Sequence, residues 1–92
     1  MPAKVEWRPR AVEDLLAIVG HIAQSNPTAA QKLKDEIHDR AGQLADTAKL
    51  YKAGRVRGTR EMVVRPNYIV VYREQKGLVV IVRVLHAAQQ WP

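Results

Sequence analysis

Hydrophobic positions cluster in three short runs in the second half of the chain. The runs read REMVVR, YIVVYRE and LVVIVRVLH, and Pro66-Asn67 and Lys76-Gly77 separate them. Runs rich in Val, Ile and Tyr between such turn residues predict a three-stranded antiparallel meander over residues 60–86. A sheet of this kind buries a face only where another layer covers it, so the first half of the chain is expected to supply that layer.

The first half begins with a strand pattern and continues as a helix. Charged and apolar residues alternate from Lys4 to Trp7, which predicts a short strand that joins the sheet beside a neighbour left open. Pro9 suits a first helical position, and Glu13 and Asp14 suit the first turns, where the helix dipole favours acids. The predicted core face of this helix is Val12, Leu15, Leu16, Val19, Ile22 and Ala23, widened by Ala11 and Ile18.

A second helix follows a tight turn at Ser25-Asn26. Asn26 is the predicted cap and Pro27 the first helical residue, so the two helices should run antiparallel. Glycine destabilises a helix interior, so Gly42 is expected to weaken this helix, which should end near Asp46. Its apolar stripe is narrow: Ala30, Leu33, Ile37, Ala41 and Leu44. The predicted fold is α+β, in the order β-α-α-β-β-β, with a helix hairpin on a mostly antiparallel twisted sheet and one domain over residues 1–92.

The hairpin at Lys76-Gly77 sets a register for the last two strands. With a two-residue turn, position 81 lies opposite 72 and position 83 opposite 70, which places Arg83 beside Tyr68 and Tyr72. The turn at Pro66-Asn67 can hold two or three residues, so it stays open which side of the strand over residues 60–65 lies on the face of Tyr68 and Tyr72.

Positive charge is concentrated in the second half of the chain. Residues 1–46 carry six Lys or Arg against seven Asp or Glu, whereas residues 47–92 carry nine against two, within a net charge of +6. This asymmetry favours a polyanion or an acidic protein as partner, although solubility alone also favours net charge. The stretch 47–58 has no acid and is either a target-binding loop or a solvated connector. The predicted target-binding residues are Lys49, Lys52, Arg55, Arg57 and Arg60.

Several classes of function lack support in the composition. The chain has no cysteine, so the sequence indicates a reducing, cytoplasmic environment and no thiolate metal site. No run is apolar enough for a signal peptide or a membrane span. No phosphate-binding loop, zinc spacing or carboxylate cluster occurs, and we therefore expect no metal, cofactor or small-molecule ligand.

The order of local patterns along the whole chain resembles the RelE/ParE superfamily of bacterial toxins from toxin–antitoxin systems. The N-terminal patterns are Trp7 before a helix and Asn26-Pro27 with Ala29-Ala30 between the helices. The C-terminal patterns are GRVRGTRE over residues 54–61, NYIVVYR over 67–73 and RVLHAAQQWP over 83–92. This resemblance implies an acidic cognate antitoxin as partner.

Two activities occur in the superfamily, and the sequence departs from one of them. RelE-like members are ribosome-dependent endoribonucleases, whereas ParE-like members inhibit DNA gyrase. Ile69 lies where RelE-like nucleases have an arginine, Glu61 where they have a basic residue, and residues 87–90 read Ala-Ala-Gln-Gln. These departures favour a ParE-like toxin that binds DNA gyrase without a catalytic residue of its own.

The alternative is a RelE-like mRNA endonuclease acting with the ribosome. Its histidine would be His86, which could activate a 2′-hydroxyl or protonate a leaving oxygen. The arginines that could steady the phosphorane are Arg83, Arg65 and Arg73. A structural interpretation is that His86 ends a strand and bonds the tail, and that Arg60, Glu61, Tyr72 and Arg83 form an ion-pair network. His21 and His38 are expected on helix surfaces.

The antitoxin is expected to wrap the domain over exposed apolar positions and a free sheet edge. The predicted antitoxin contacts are Ala17, Leu50 and Trp91, although Trp91 could instead pack back on the domain. A third possible class, a basic RNA- or protein-binding module without toxicity, needs only the same charge.

Overall fold

In the computed structural model, which describes residues 4–92, two helices pack on one face of a five-stranded sheet. The first strand, β1 (Lys4–Trp7), leads into α1 (Pro9–Ala23) and α2 (Pro27–Thr47), and a 3-10 turn (Ala48–Leu50) follows. The remaining strands are β2 (Lys52–Ala53), β3 (Arg60–Arg65), β4 (Tyr68–Gln75) and β5 (Leu78–His86). This arrangement confirms the predicted α+β fold.

The strand order in the sheet is β1-β5-β4-β3-β2. β1 pairs in parallel with β5, and every other neighbouring pair is antiparallel. The meander of β3, β4 and β5 was predicted, whereas the two-residue strand β2 inside the basic stretch was not. β2 pairs Lys52 with Glu61 and Ala53 with Arg60, so it is a short edge strand.

The helices begin and pack as their sequences indicate. Pro9 occupies the first turn of α1, and the Asn26 side chain accepts a hydrogen bond from the Ala29 N–H at 3.0 Å to cap α2. All five residues of the predicted α2 stripe are buried. Leu33, Ile37, Ala41 and Leu44 pack with residues of α1 against the helix-facing side of the sheet.

The α1 face is narrower than predicted. Val12 and Leu16 are 40% and 57% exposed, because the covered face runs through Ala11, Leu15 and Ile22. Asp14 does not lie in the first turn of α1, where it was expected to interact with the helix dipole. Its carboxylate instead accepts a hydrogen bond from β5.

The register of β4 and β5 differs from the prediction at one point. Tyr72 lies opposite Ile81 as expected, but Val71 then lies opposite Arg83, with a bulge between the two pairs. The inserted residue shifts the later pairs, so the predicted pairing of positions 70 and 83 is wrong. Arg83 consequently contacts α1 and does not join Tyr68 and Tyr72.

The two faces of β4 pack in different hydrophobic cores, a large one on the helix-facing side and a small one on the opposite side. Val70 and Tyr72 face the helices together with Met62 of β3. The other face, here called the outer face, carries Ile69, Val71 and Leu85, against which Trp91 packs. The sequence left open which face of β3 is core, and the structure assigns it to the face that carries Met62.

Candidate functional site

The basic stretch closes into a small, ordered loop over residues 54–59. The Gly54 N–H donates to the Thr59 carbonyl at 2.7 Å, and the Thr59 N–H donates to the Val56 carbonyl at 3.1 Å. Arg57 and Gly58 are therefore the central residues of a tight turn. Gly58 has φ +84°, which is the value that the third position of a type II turn requires. The turn places the Arg57 side chain in solvent.

Arg73 of β4 lies directly beneath this turn. A Cβ built on Gly58 would lie 2.8 Å from Nη1 of Arg73, so the guanidinium approaches the turn backbone closely. Within residues 4–92, neither Arg57 nor Arg73 has a carboxylate partner. Two uncompensated cations thus lie at one loop, and their field favours an anionic partner.

Arg55 differs from Arg57, because its charge is compensated within the protein. The Glu61 carboxylate accepts hydrogen bonds from the Arg55 N–H at 2.9 Å, from Nε at 3.0 Å and from Nη2 at 3.2 Å. Burial pushes the pKa of Glu61 upward, but the hydrogen bonds and charge of Arg55 outweigh it and leave the pKa below its ordinary value. The carboxylate is therefore ionised at neutral pH and holds the loop to β3.

The C-terminal segment, residues 87–92, folds back over the outer face. Trp91 is partly buried on Ile69, Val71 and Leu85. The Gln89 carbonyl accepts a hydrogen bond from Nη1 of Arg55 at 3.5 Å. Between Arg55 and this segment lies an open groove of about 580 Å³. Trp91 thus packs back on the domain, which is one of the two alternatives that the sequence left open.

The other predicted target-binding cations occupy different surroundings. Lys49 and Lys52 are exposed. Arg60 is half-buried, and its Nη1 donates to the Tyr51 carbonyl at 2.6 Å. Of the five predicted residues, Lys49, Lys52, Arg55 and Arg57 are thus exposed, and Arg55 and Arg60 make hydrogen bonds within the protein.

The predicted network of Arg60, Glu61, Tyr72 and Arg83 does not form. Tyr72 is buried, and its hydroxyl donates to the Ala48 carbonyl. Burial raises the pKa of Tyr72 to about 12, although the Arg60 charge acts in the opposite direction. Glu61 pairs with Arg55, a partner that the sequence interpretation did not consider.

Two of the three arginines proposed for a nuclease are held by carboxylates. Arg83 donates to Asp14 from Nε at 2.7 Å and from Nη2 at 3.1 Å, with side-chain exposures of 14% and 10%. Arg65 donates from Nε to Glu36 at 2.7 Å. A guanidinium paired with a carboxylate adds little positive potential at a developing phosphorane.

His86 ends β5 at the rim of the helix-facing side. It lies opposite Tyr68, with ring centroids 5.6 Å apart and an interplanar angle of 85°. Nδ1 of His86 accepts the Ala88 N–H at 3.2 Å, which matches the structural interpretation of this residue. Arg65 of β3 lies opposite Tyr68 of β4, so a basic, an aromatic and an imidazole side chain share one row of the sheet.

Exposed apolar side chains mark a second candidate surface. Leu50 is 78% exposed, and Ala17 is exposed on α1. Val12 and Leu16, one helical turn apart on α1, add an apolar patch that the sequence interpretation missed. The sequence contained a signal for this patch, since nine apolar positions on one helix exceed the stripe that a single packing layer covers.

Other kinds of site find no support in the described part of the chain. Over residues 4–92, no group of three or more His, Asp or Glu side chains could hold a metal ion. Neither α1 nor α2 combines the length and the apolar character that crossing a bilayer requires, and no other helix of that region does.

Comparison with known proteins places this geometry in a family. The model of the ParE toxin of type II toxin–antitoxin systems, parDE, matches residues 5–91. The chain is 40% identical over 89 residues to Toxin RelE2 of Caulobacter vibrioides, and the alignment covers 95% of this chain and 98% of that protein.

Solved structures share the fold at lower identity. The structure of the chromosomal ParDE TA system from P. aeruginosa superposes with a TM-score of 0.81 at 22% identity, and the alignment covers 91% of this chain and 95% of that one. The toxin–antitoxin complex RelBE2 from Mycobacterium tuberculosis gives a TM-score of 0.62 at 24% identity, with coverages of 94% and 99%. Both likenesses show the fold.

The fold of two helices on a five-stranded sheet is thus joined by a match over residues 5–91 to a toxin family of type II toxin–antitoxin systems. The chain belongs to the RelE/ParE superfamily of these toxins, and the family model that it matches is the ParE toxin. The resemblance stated from the sequence is confirmed.

Proposed function

We propose that this toxin is ParE-like: it inhibits DNA gyrase by binding and catalyses no reaction of its own. The observation that carries the proposal is the state of the arginines. Arg83 and Arg65 are neutralised by Asp14 and Glu36, whereas Arg57 and Arg73 remain uncompensated at the loop. Cations displayed on an ordered loop suit recognition of an acidic protein surface, and the paired arginines are poorly placed to stabilise a transition state.

A second candidate function is cleavage of mRNA, as in RelE-like toxins. One observation favours it, namely the row of Arg65, Tyr68 and His86 at the end of the sheet. In such an enzyme His86 would exchange protons with the ribose hydroxyl or the leaving oxygen through Nε2, because Nδ1 accepts the Ala88 N–H. The Glu36 carboxylate would then have to release Arg65 for the phosphate.

Expression in cells without the antitoxin separates the two functions. Gyrase inhibition should induce the DNA-damage response and filamentation, while the 5′ ends of bulk transcripts stay unchanged. Ribosome-dependent cuts within codons, mapped at the ends of transcripts soon after induction, would replace the first proposal with the second. Arg57→Glu is the variant that tests the first proposal. It reverses an exposed charge and should relieve the growth arrest if gyrase is the target.

For neutralisation we propose an acidic antitoxin segment that covers the α1 patch of Val12 and Leu16 together with Ala17 and Leu50. Two apolar residues at spacing i, i+4 fit the apolar face of a partner helix. β1 is an edge of the sheet, so its outer backbone groups can accept an added strand. The net charge of +7 on residues 47–92 would speed association with an acidic segment.

A further inference from the structure

Arg55 is the one residue that joins the basic loop to both β3 and the C-terminal segment within residues 4–92. Its main-chain N–H and guanidinium reach Glu61, and the remaining guanidinium nitrogen reaches the Gln89 carbonyl. Arg55 and Gln89 are 34 positions apart in the sequence. A single side chain therefore fixes the relative position of two segments that no regular sheet pairing connects.

The surroundings of Glu61 strengthen this link. Glu61 pairs across the sheet with Val71, and residues directly opposite in an antiparallel pair point to the same face. Val71 is one of the three residues on which Trp91 packs. The ion pair and the Trp91 contact are thus neighbours on the outer face.

The docking of the C-terminal segment depends on few contacts. Residues 87–90 are exposed, and Trp91 alone contributes to the small core of the outer face. Residues 87–89 are also tied to the end of β5 and to the turn before β4, because the Ala87 N–H donates to the Asn67 carbonyl, the Ala88 N–H to Nδ1 of His86 and the Gln89 N–H to the His86 carbonyl. These bonds do not reach the loop 54–59, and the Arg55–Gln89 bond is what links the segment to that loop.

We infer that Arg55 is a positioning residue: held by Glu61, it fixes the loop 54–59 and docks the segment 87–92, so that the target-facing surface is one composite of both. The partner that fits this surface is an acidic face of a protein, with Arg57 as the exposed contact charge. This part of the inference rests on the proposed function. Arg55 itself contributes geometry, since its charge is compensated by Glu61.

The docking is tested without any target by ¹⁹F NMR of the protein labelled with 5-fluorotryptophan. The two signals report Trp91 and Trp7, and Trp7 serves as an internal control because it packs in the helix-facing core. Arg55→Ala and Glu61→Gln should move the Trp91 signal toward its solvent-exposed position and leave the Trp7 signal in place. Glu13→Gln, the same charge change at an exposed site on α1, should move neither.

Arg55→Lys keeps the charge and loses the forked geometry, so it should show an intermediate Trp91 shift. This variant keeps the test valid if Arg55→Ala fails to fold, which loss of the Trp7 signal position would reveal. An unmoved Trp91 signal in folded Arg55 and Glu61 variants would overturn the inference.

The target-facing role is tested by inhibition of DNA supercoiling by purified gyrase. Glu61→Gln and Arg55→Lys should weaken inhibition in proportion to their Trp91 shifts, whereas Arg57→Glu should weaken it about tenfold with no Trp91 shift. Normal inhibition by variants whose Trp91 signal has moved would contradict the composite surface. If the parent protein does not inhibit gyrase, the proposed function is refuted, whereas the NMR test of the Trp91 docking remains valid.

Discussion

The Asp14 carboxylate on α1 accepts both hydrogen bonds of the Arg83 guanidinium on β5 and a third, at 3.0 Å, from the Val84 N–H. Asp14 and Arg83 are 69 positions apart, and both side chains are nearly buried. The pair therefore ties the first helix to the last strand. It also withdraws from solution one of the three arginines proposed for a nuclease.

Removal of Asp14 should be strongly destabilising. Asp14→Ala leaves a buried guanidinium and a buried N–H without an acceptor, and breaking a buried pair in this way costs about 3–5 kcal/mol. Urea unfolding monitored by circular dichroism measures the change. Arg10→Ala is the matched control, because Arg10 contacts the same carboxylate from an exposed position and its loss should cost less than about 1 kcal/mol. Similar losses in both variants would contradict the structural role of the Asp14–Arg83 pair.

Tyr72 should make the free energy of unfolding fall at alkaline pH. Its folded-state pKa of about 12 lies above the ordinary value of 10.0, so its contribution is complete below pH 10 and is lost as pH rises from 10 to 12. The slope from one such group is at most about 1.4 kcal/mol per pH unit.

Tyr72→Phe should remove that slope and lower stability at neutral pH by about 1–3 kcal/mol, because the buried Ala48 carbonyl loses its donor. Unfolding curves at several pH values between 9 and 12 test this. Parallel pH profiles for the parent and the variant would show that Tyr72 does not titrate as described.

Replacement of His86 distinguishes a structural from a catalytic role. The side-chain oxygen of glutamine can still accept the Ala88 N–H, so His86→Gln should retain the fold and the growth arrest. Loss of a general acid or base would instead lower the rate of RNA cleavage by about 10²-fold to 10⁴-fold. A fall of that size in a ribosome-dependent cleavage assay, with unchanged circular dichroism, would identify His86 as catalytic.

The α1 patch should bind the antitoxin without supporting the fold. Leu16→Ser removes an exposed contact, and we expect unchanged thermal stability and antitoxin affinity weakened by about tenfold or more. Leu15→Ala is the contrasting variant, since a buried leucine typically costs about 2–5 kcal/mol on truncation. Amide hydrogen exchange should show new protection on α1 and along β1 in the complex. Full affinity of Leu16→Ser would remove α1 from the interface.

The parts of the fold that follow from local periodicity were predictable from the sequence. The five buried residues of α2 form a single stripe at helical spacing, so their face is unambiguous. On α1 the pattern admits several faces, and only the positions of α2 and β5 decide that Leu15 is covered and Leu16 is not. Periodicity within one element cannot supply that tertiary information.

The register and the ion pairs were harder to predict for a different reason. The bulge after Val71 inserts one residue into β5, and the turn at Lys76-Gly77 contains no trace of it. Arg55 was predicted to face the target because its loop has no acid. Its partner Glu61 lies just beyond that loop, on a strand whose face the sequence left open, and this separates Arg55 from Arg57 in role.

The most direct test of the proposed mechanism is the supercoiling of relaxed plasmid by purified gyrase as purified toxin is added. We expect inhibition that increases with toxin concentration, is weakened by Arg57→Glu, is unaffected by His86→Gln and is reversed by the cognate antitoxin. Undiminished supercoiling at toxin concentrations that arrest growth would contradict the account.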